Sequence, residues 1–130
     1  MTYHFSKTLP FGMDDAIARD TEELKKEGFG ILTEIDVAAT LKTKLDLDLA
    51  PYLILGACNP PLAHQAISID PSIGVLLPCN VVVRTLDETH TLVEAMDPDV
   101  MVNATGNPAL ASVAEQARTR LSAALAALTE

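Results

Sequence analysis

Residues 53–83 read LILGACNPPLAHQAISIDPSIGVLLPCNVVV, and the reading of this stretch decides the fold. An apolar run from Tyr52 to Cys58 ends at Asn59-Pro60, where Asn59 suits a helix N-cap and Pro60 the first helical position. Leu62, Ala66, Ile67 and Ile69 then form the apolar side of a short helix, which Pro71 closes. A second apolar run starts at Cys79 and continues to Leu86. Two buried strands joined by one helix are therefore expected. Gly56, inside the first strand, marks a close backbone approach. Residues 73–77, IGVLL, are too short for periodicity to separate strand from turn.

Working upstream, Phe29, Ile31, Thr33 and Ile35 alternate with Gly30, Leu32 and Glu34, as a strand does. Asp36 is a good N-cap for a short helix through Val37, Leu41 and Leu45. The run LDLDLA at 45–50 reads as the exit loop. Before it, Met13, Ala16, Ile17 and Leu24 recur at helical spacing. Asp14 and Asp15 in the first turn and Lys25 and Lys26 in the last suit the helix dipole. Gly28 is the expected stop, with Phe29 closing the hydrophobic contact behind it. Residues 2–8, TYHFSKT, read as a half-buried first strand, with Tyr3 and Phe5 on one face and His4 on the other.

Downstream, the turn at 87–89 leads into a fifth strand at 91–96, and so short a connection implies an antiparallel hairpin. Asp97-Pro98 breaks it, and Val100 and Met101 belong to a turn of helix. Asn107 and Pro108 open the last helix, whose apolar stripe is Leu110, Val113, Ala114, Ala117, Leu121, Leu125 and Leu128. The order is β-α-β-α-β-α-β-β-α. It predicts an α+β fold in which helices pack on a single mixed, largely antiparallel sheet of about five strands.

A chain of 130 residues is read as a single domain spanning residues 1–130. With 48% hydrophobic residues, 4% aromatic and no tryptophan, its core is aliphatic. The formal net charge of −9 and the absence of a Lys/Arg cluster argue against binding nucleic acid or anionic lipid. No window reaches membrane-spanning length and the N-terminus lacks a signal-peptide pattern, so a soluble, cytoplasmic protein is expected. In a reducing compartment the two cysteines are expected as free thiols.

The motifs LGACNPPLAHQAI and IGVLLPCNVVV, with Val93-Glu94-Ala95-Met96-Asp97-Pro98, resemble the domain of unknown function 302 family. Upstream, GFGILTEIDVAATLK resembles the same family's second strand and second helix. The resemblance covers nearly the whole chain, and Cys58, Asn59, Pro60, His64, Pro78, Cys79 and Asn80 all fit its pattern. It implies a compact α+β domain, commonly a homodimer in bacteria and archaea, and it implies no reaction.

Three chemistries deserve weighing for Cys58, Asn59, His64, Cys79 and Asn80. Cys58 directly precedes a helix N-terminus, whose free N–H groups and partial charge lower a thiol pKa. If the third and fourth strands are neighbours, Cys79 approaches it, and a thiol-dependent enzyme or a sulfur or redox carrier follows. The plainer alternative makes both cysteines small core residues, the commoner case. A metal site is disfavoured, because the two cysteines are 21 positions apart with no CxxC and the histidines are scattered. Third, Asn59, His64 and Asn80 among apolar elements suit a small-molecule pocket, although Asn59 also suits a plain cap. No GxGxxG, Walker loop, GxSxG or HExxH is present, so no cofactor or metal is expected. The leading expectation is a domain that binds a small ligand or a protein partner as a homodimer.

Overall fold

The computed structural model describes residues 2–128. Alternating aliphatic residues form the strands β1 (His4–Leu9), β2 (Gly30–Asp36), β3 (Tyr52–Cys58), β4 (Cys79–Thr85) and β5 (Thr91–Met96). They make one five-stranded sheet in the order β1-β5-β4-β3-β2. Every neighbouring pair is antiparallel, so the sheet needs none of the mixed pairing that the sequence left open. The α+β reading holds. The first strand runs slightly later than 2–8: Leu9 closes it in the core, while Tyr3 lies exposed ahead of it.

Period-two alternation divides the sheet into two faces. Leu53, Leu55 and Ala57 of β3, Val81 and Val83 of β4, and Val93 and Ala95 of β5 are buried on one. The helices α1 (Met13–Lys26) and α5 (Ala111–Ala127) cover that face. Helix α5 presents Val113, Ala114, Ala117, Leu121 and Leu125 to the core, as its stripe predicts, and Leu128 just past its end is also buried. On the other face the register lines up Ile35, Ile54, Val82 and Glu94 across four strands. Arg84 donates from Nε to Glu94 Oε1 at 2.7 Å there. The Glu94 Oε2 lies 3.6 Å from His4 Nδ1, too far for a hydrogen bond.

The local signals explain where helices stop and start. Beyond α1, Gly28 adopts φ +84°. Its N–H donates to the carbonyl of Lys25, and the Phe29 N–H donates to that of Leu24. This is a Schellman closure, with buried Phe29 and Leu24 as its apolar contact. In α2 (Val37–Leu45) the cap is Asp36, whose Oδ1 accepts from the Ala39 N–H at 2.8 Å. That helix buries no residue, and residues 46–51 form the expected loop.

Helix α3 (Pro60–Ile69) buries only Leu62 and Ala66, so the wider apolar side expected of it is not used. Ile67 and Ile69 are exposed, because the helix touches the core along a single narrow line. Residues Pro71–Leu76 are a 3-10 turn, since Asp70 Oδ1 accepts from the Ser72 N–H and Pro71 favours a helical start. The hairpin of β4 and β5 is as expected. A short helix, α4 (Asp99–Thr105), extends the turn read at Val100 and Met101. Asn107 Oδ1 then caps the turn that leads into α5.

One residue departs from every local rule. Ala16, Asp20 and Leu24 form the buried stripe of α1, and Asp20 is fully buried with neither carboxylate oxygen hydrogen-bonded. Burial raises its pKa from 3.8 to about 7. The folded chain thus keeps a proton that the unfolded chain releases above its ordinary carboxylate pKa. Stability from this group is full at acid pH and declines as pH rises toward 7. The isosteric Asp20→Asn should match wild type near pH 4 and exceed it at pH 8 by about 2–4 kcal/mol. Urea unfolding at both pH values checks this, and a variant offset that does not change with pH would contradict it.

Candidate functional site

The sequence places Cys58 at the end of β3 and Cys79 at the start of β4, and antiparallel pairing brings these two ends together. Ala57 lies opposite Cys79 in the register, so Cys58 is the next residue along. A cavity of about 320 Å³ opens beside them. Leu62, Ala63 and Ala66 of α3, with Val113 and Ala117 of α5, form its walls, and Phe29 and Met101 also line it. The exposed side chains of Leu32 and Ile67 mark its rim. The space exists because α3 and α5 present alanines where they face each other, and short side chains leave a gap between backbones. Among the described residues its polar side chains are Thr33, Cys58, Asn59 and Cys79.

Gly56 shapes the outer edge. A Cβ there would collide with Thr33 Oγ1 and lie 2.8 Å from the ring of Pro78, so only glycine lets these side chains close over β3. The pairing of β2 with β3 shifts register between Ile31 and Thr33, which turns Thr33 onto Gly56. The sequence marks Gly56 for a close backbone approach, and what approaches it is the side chains of Thr33 and Pro78.

Asn59 is buried at the back of the site. Its Oδ1 accepts from the Leu62 N–H at 3.3 Å, and its Nδ2 donates to the Glu27 carbonyl at 3.5 Å. One carboxamide thus caps the start of α3 and the end of α1. The Ala63 N–H donates to the Asn59 carbonyl at 2.9 Å. Pro60 and Pro61 have no N–H to offer. Every donor in the first turn of α3 is absent or occupied. Residues 60–63 therefore offer the Cys58 thiolate none of the free N–H groups expected of them.

Both thiols are free. Cys79 is buried, and its pKa is raised from 9.0 to about 11 by desolvation and, secondarily, by neighbouring Cys58. Cys58 is half-buried on the cavity wall. Of the residues singled out from the sequence, the cavity gathers Cys58, Asn59 and Cys79. It leaves out His64, which is exposed on α3, and Asn80, which is exposed on the sheet face opposite Cys79. Phe29, Met101, Val113 and Ala117 were read from the sequence as core or helix stripe or as part of a turn, because a wall and a core share the same apolar pattern. The facing alanines are the one sequence signal of a gap.

Two other constellations fall away. Among the described residues no three His, Cys, Asp or Glu side chains converge as metal ligands. In the β4–β5 loop, Thr89 Oγ1 and Asp87 Oδ1 lie 2.8 and 3.0 Å from His90, but both contact Nδ1. A catalytic relay needs the two ring nitrogens to face different partners. That arrangement is a turn, with Asp87 Oδ1 also accepting from the Thr89 and His90 N–H groups. The bond from the Thr89 N–H, followed by that from the His90 ring, lowers the Asp87 pKa to about 2. No described helix is long and apolar enough to cross a membrane.

Residues 5–128 match the family described as "Domain of unknown function DUF302". The fold is similar to the crystal structure of an uncharacterized conserved DUF302 protein from Bacillus stearothermophilus. That likeness has a TM-score of 0.88 and 33% sequence identity, covering 97% of this chain and 98% of the other. No functionally curated protein matches.

The thiols make the geometry testable. At pH 8, Cys79 has about a hundredfold less thiolate than an ordinary cysteine. Iodoacetamide should label native wild type and Cys79→Ser at one site, Cys58, and leave native Cys58→Ser unlabelled until it is unfolded. Peptide mass mapping reads the result, and labelling of native Cys79 ahead of Cys58 would contradict the described burial.

Proposed function

The chain belongs to the DUF302 family, and from that premise we propose that it is a small-molecule-binding domain whose ligand enters the cavity between α3, α5 and the paired ends of β3 and β4. The observation that carries this reading is the cavity itself. Its volume of about 320 Å³ falls within the roughly 300–1,000 Å³ of small-molecule sites. Its walls come from two helices and two central strands, so the shape is held before any ligand arrives.

The thiol-dependent alternative has less support. Its nucleophile would stand beside a helix end without free donors, and its second sulfur is held protonated by burial. Desolvation of a thiol opposes the thiolate that such chemistry needs. In the binding reading Cys58 and Cys79 act as small, soft wall residues.

A second copy of the chain is the proposed protein partner. The row Ile35, Ile54 and Val82 on the sheet face away from α1 and α5 supports it. On that face Arg84 and Glu94 offset each other in a chain whose net charge is −9, so two copies meet there with little repulsion. Sedimentation equilibrium yielding a monomer mass at micromolar concentration would remove the dimer from this reading and leave the ligand site untouched.

The site is tested with the neutral fluorophore 1-aminoanthracene. Wild type should bind it saturably at one site per chain. Ala63→Phe, which fills the half-buried α3 wall, should weaken binding at least tenfold while keeping the wild-type melting temperature. Absence of saturable binding, or equal binding by both proteins, would overturn the cavity reading.

A further inference from the structure

The polar chemistry of the cavity is more restrictive than its shape. Helix N-termini and buried amides commonly receive a ligand's charged head, and both are present here, yet neither is available. Pro60 and Pro61 remove two donors from the first turn of α3, and Asn59 occupies the other two through Oδ1 and its own carbonyl. The remaining end of the carboxamide, Nδ2, is directed to the Glu27 carbonyl. Thr33 is exposed at the rim, with its Oγ1 over Gly56. Among the described residues no lysine, arginine, histidine, aspartate or glutamate lines the space. What remains is the Thr33 hydroxyl at the rim and, deeper in, two thiols, which are weak donors and weak acceptors.

Resting on the small-molecule reading above, we infer that the occupant is an uncharged, hydrocarbon-like molecule with at most one weakly hydrogen-bonding group. A carboxylate, a phosphate or an ammonium group would lose its hydration inside the cavity and meet no counter-charge there, only two thiols and a rim hydroxyl. Arg120 lies outside the cavity lining. Its Nη1 is 3.5 Å from the Glu27 carbonyl, beside Gly28, at the end of α1. The chain's charge of −9 works in the same direction against anions. The competing occupant is an acid whose tail fills the cavity and whose head reaches out to Arg120.

Three molecules of matched chain length separate these cases. At pH 8, 1-octanol, octanoate and octylammonium are titrated against 1-aminoanthracene bound to the whole protein, in wild type and in Arg120→Gln. Octanol should displace the probe at concentrations at least tenfold lower than either ion, and Arg120→Gln should leave that ratio unchanged. Octanoate equalling octanol in wild type, and losing that parity in Arg120→Gln, would overturn the uncharged ligand while leaving the binding site in place. Displacement by none of the three while the probe binds would also overturn it. Failure of the probe itself to bind would remove both readings together.

Discussion

The carboxamide of Asn59 is the interaction on which the arrangement around the cavity depends. A backbone donor, the Leu62 N–H, lies on one side of it, and a backbone acceptor, the Glu27 carbonyl, on the other. Those two neighbours fix its orientation. A helix end left without partners is costly when buried, and here one buried side chain serves two of them. It thereby holds the end of α1 against the start of α3. The turn that follows α1 delivers Phe29 to the cavity, and the helix that follows Asn59 delivers Leu62, Ala63 and Ala66. Gly28 belongs to the same joint, because a Cβ there would lie 2.9 Å from Asn59 Nδ2 as well as being strained at positive φ.

The same joint determines the chemistry. Closing both helix ends with one amide leaves the Asn59 side chain with no free hydrogen-bonding capacity on the side where a polar ligand would be gripped. Asp20 is the opposite case. Its carboxylate is buried, unpartnered and costly to ionise, and it lies in the stripe of α1 rather than at the cavity. The two residues show how differently burial acts on a polar group. It is tolerated where backbone partners surround the group and shifts the proton equilibrium where they do not.

Much of the fold was legible in the sequence because local rules and tertiary packing agree there. The Gly28-Phe29 stop, the Asp36 and Asn59 caps, the 91–96 strand and the α5 stripe each follow from a short-range pattern that the core then uses. The reading weakened where one element serves two purposes. Ile67 has the hydrophobicity of a core residue but stands on a cavity rim, and Val75, exposed in the 3-10 turn, belongs to no packed face. His64 and Asn80 were grouped with the cysteines by proximity along the chain. Helical and strand periodicity turn both away, since His64 falls between the buried Leu62 and Ala66 line and solvent, and Asn80 alternates with Cys79. The alanines of α3 and α5 were legible but the cavity between them was not, because which alanines face each other is set by tertiary packing. Nor was the burial of Asp20, a short acid in a helix whose other acids face water.

The central claim is a preformed apolar cavity whose inner walls offer water no strong hydrogen-bonding partner. Crystals of the unliganded protein pressurised with xenon test it most directly, because dry apolar cavities take up xenon and polar ones keep ordered water. The account predicts xenon density in the space bounded by Leu62, Ala66, Cys79 and Ala117. Ordered waters there, hydrogen-bonded to Cys58, Asn59 or Cys79 and undisturbed by xenon, would contradict it.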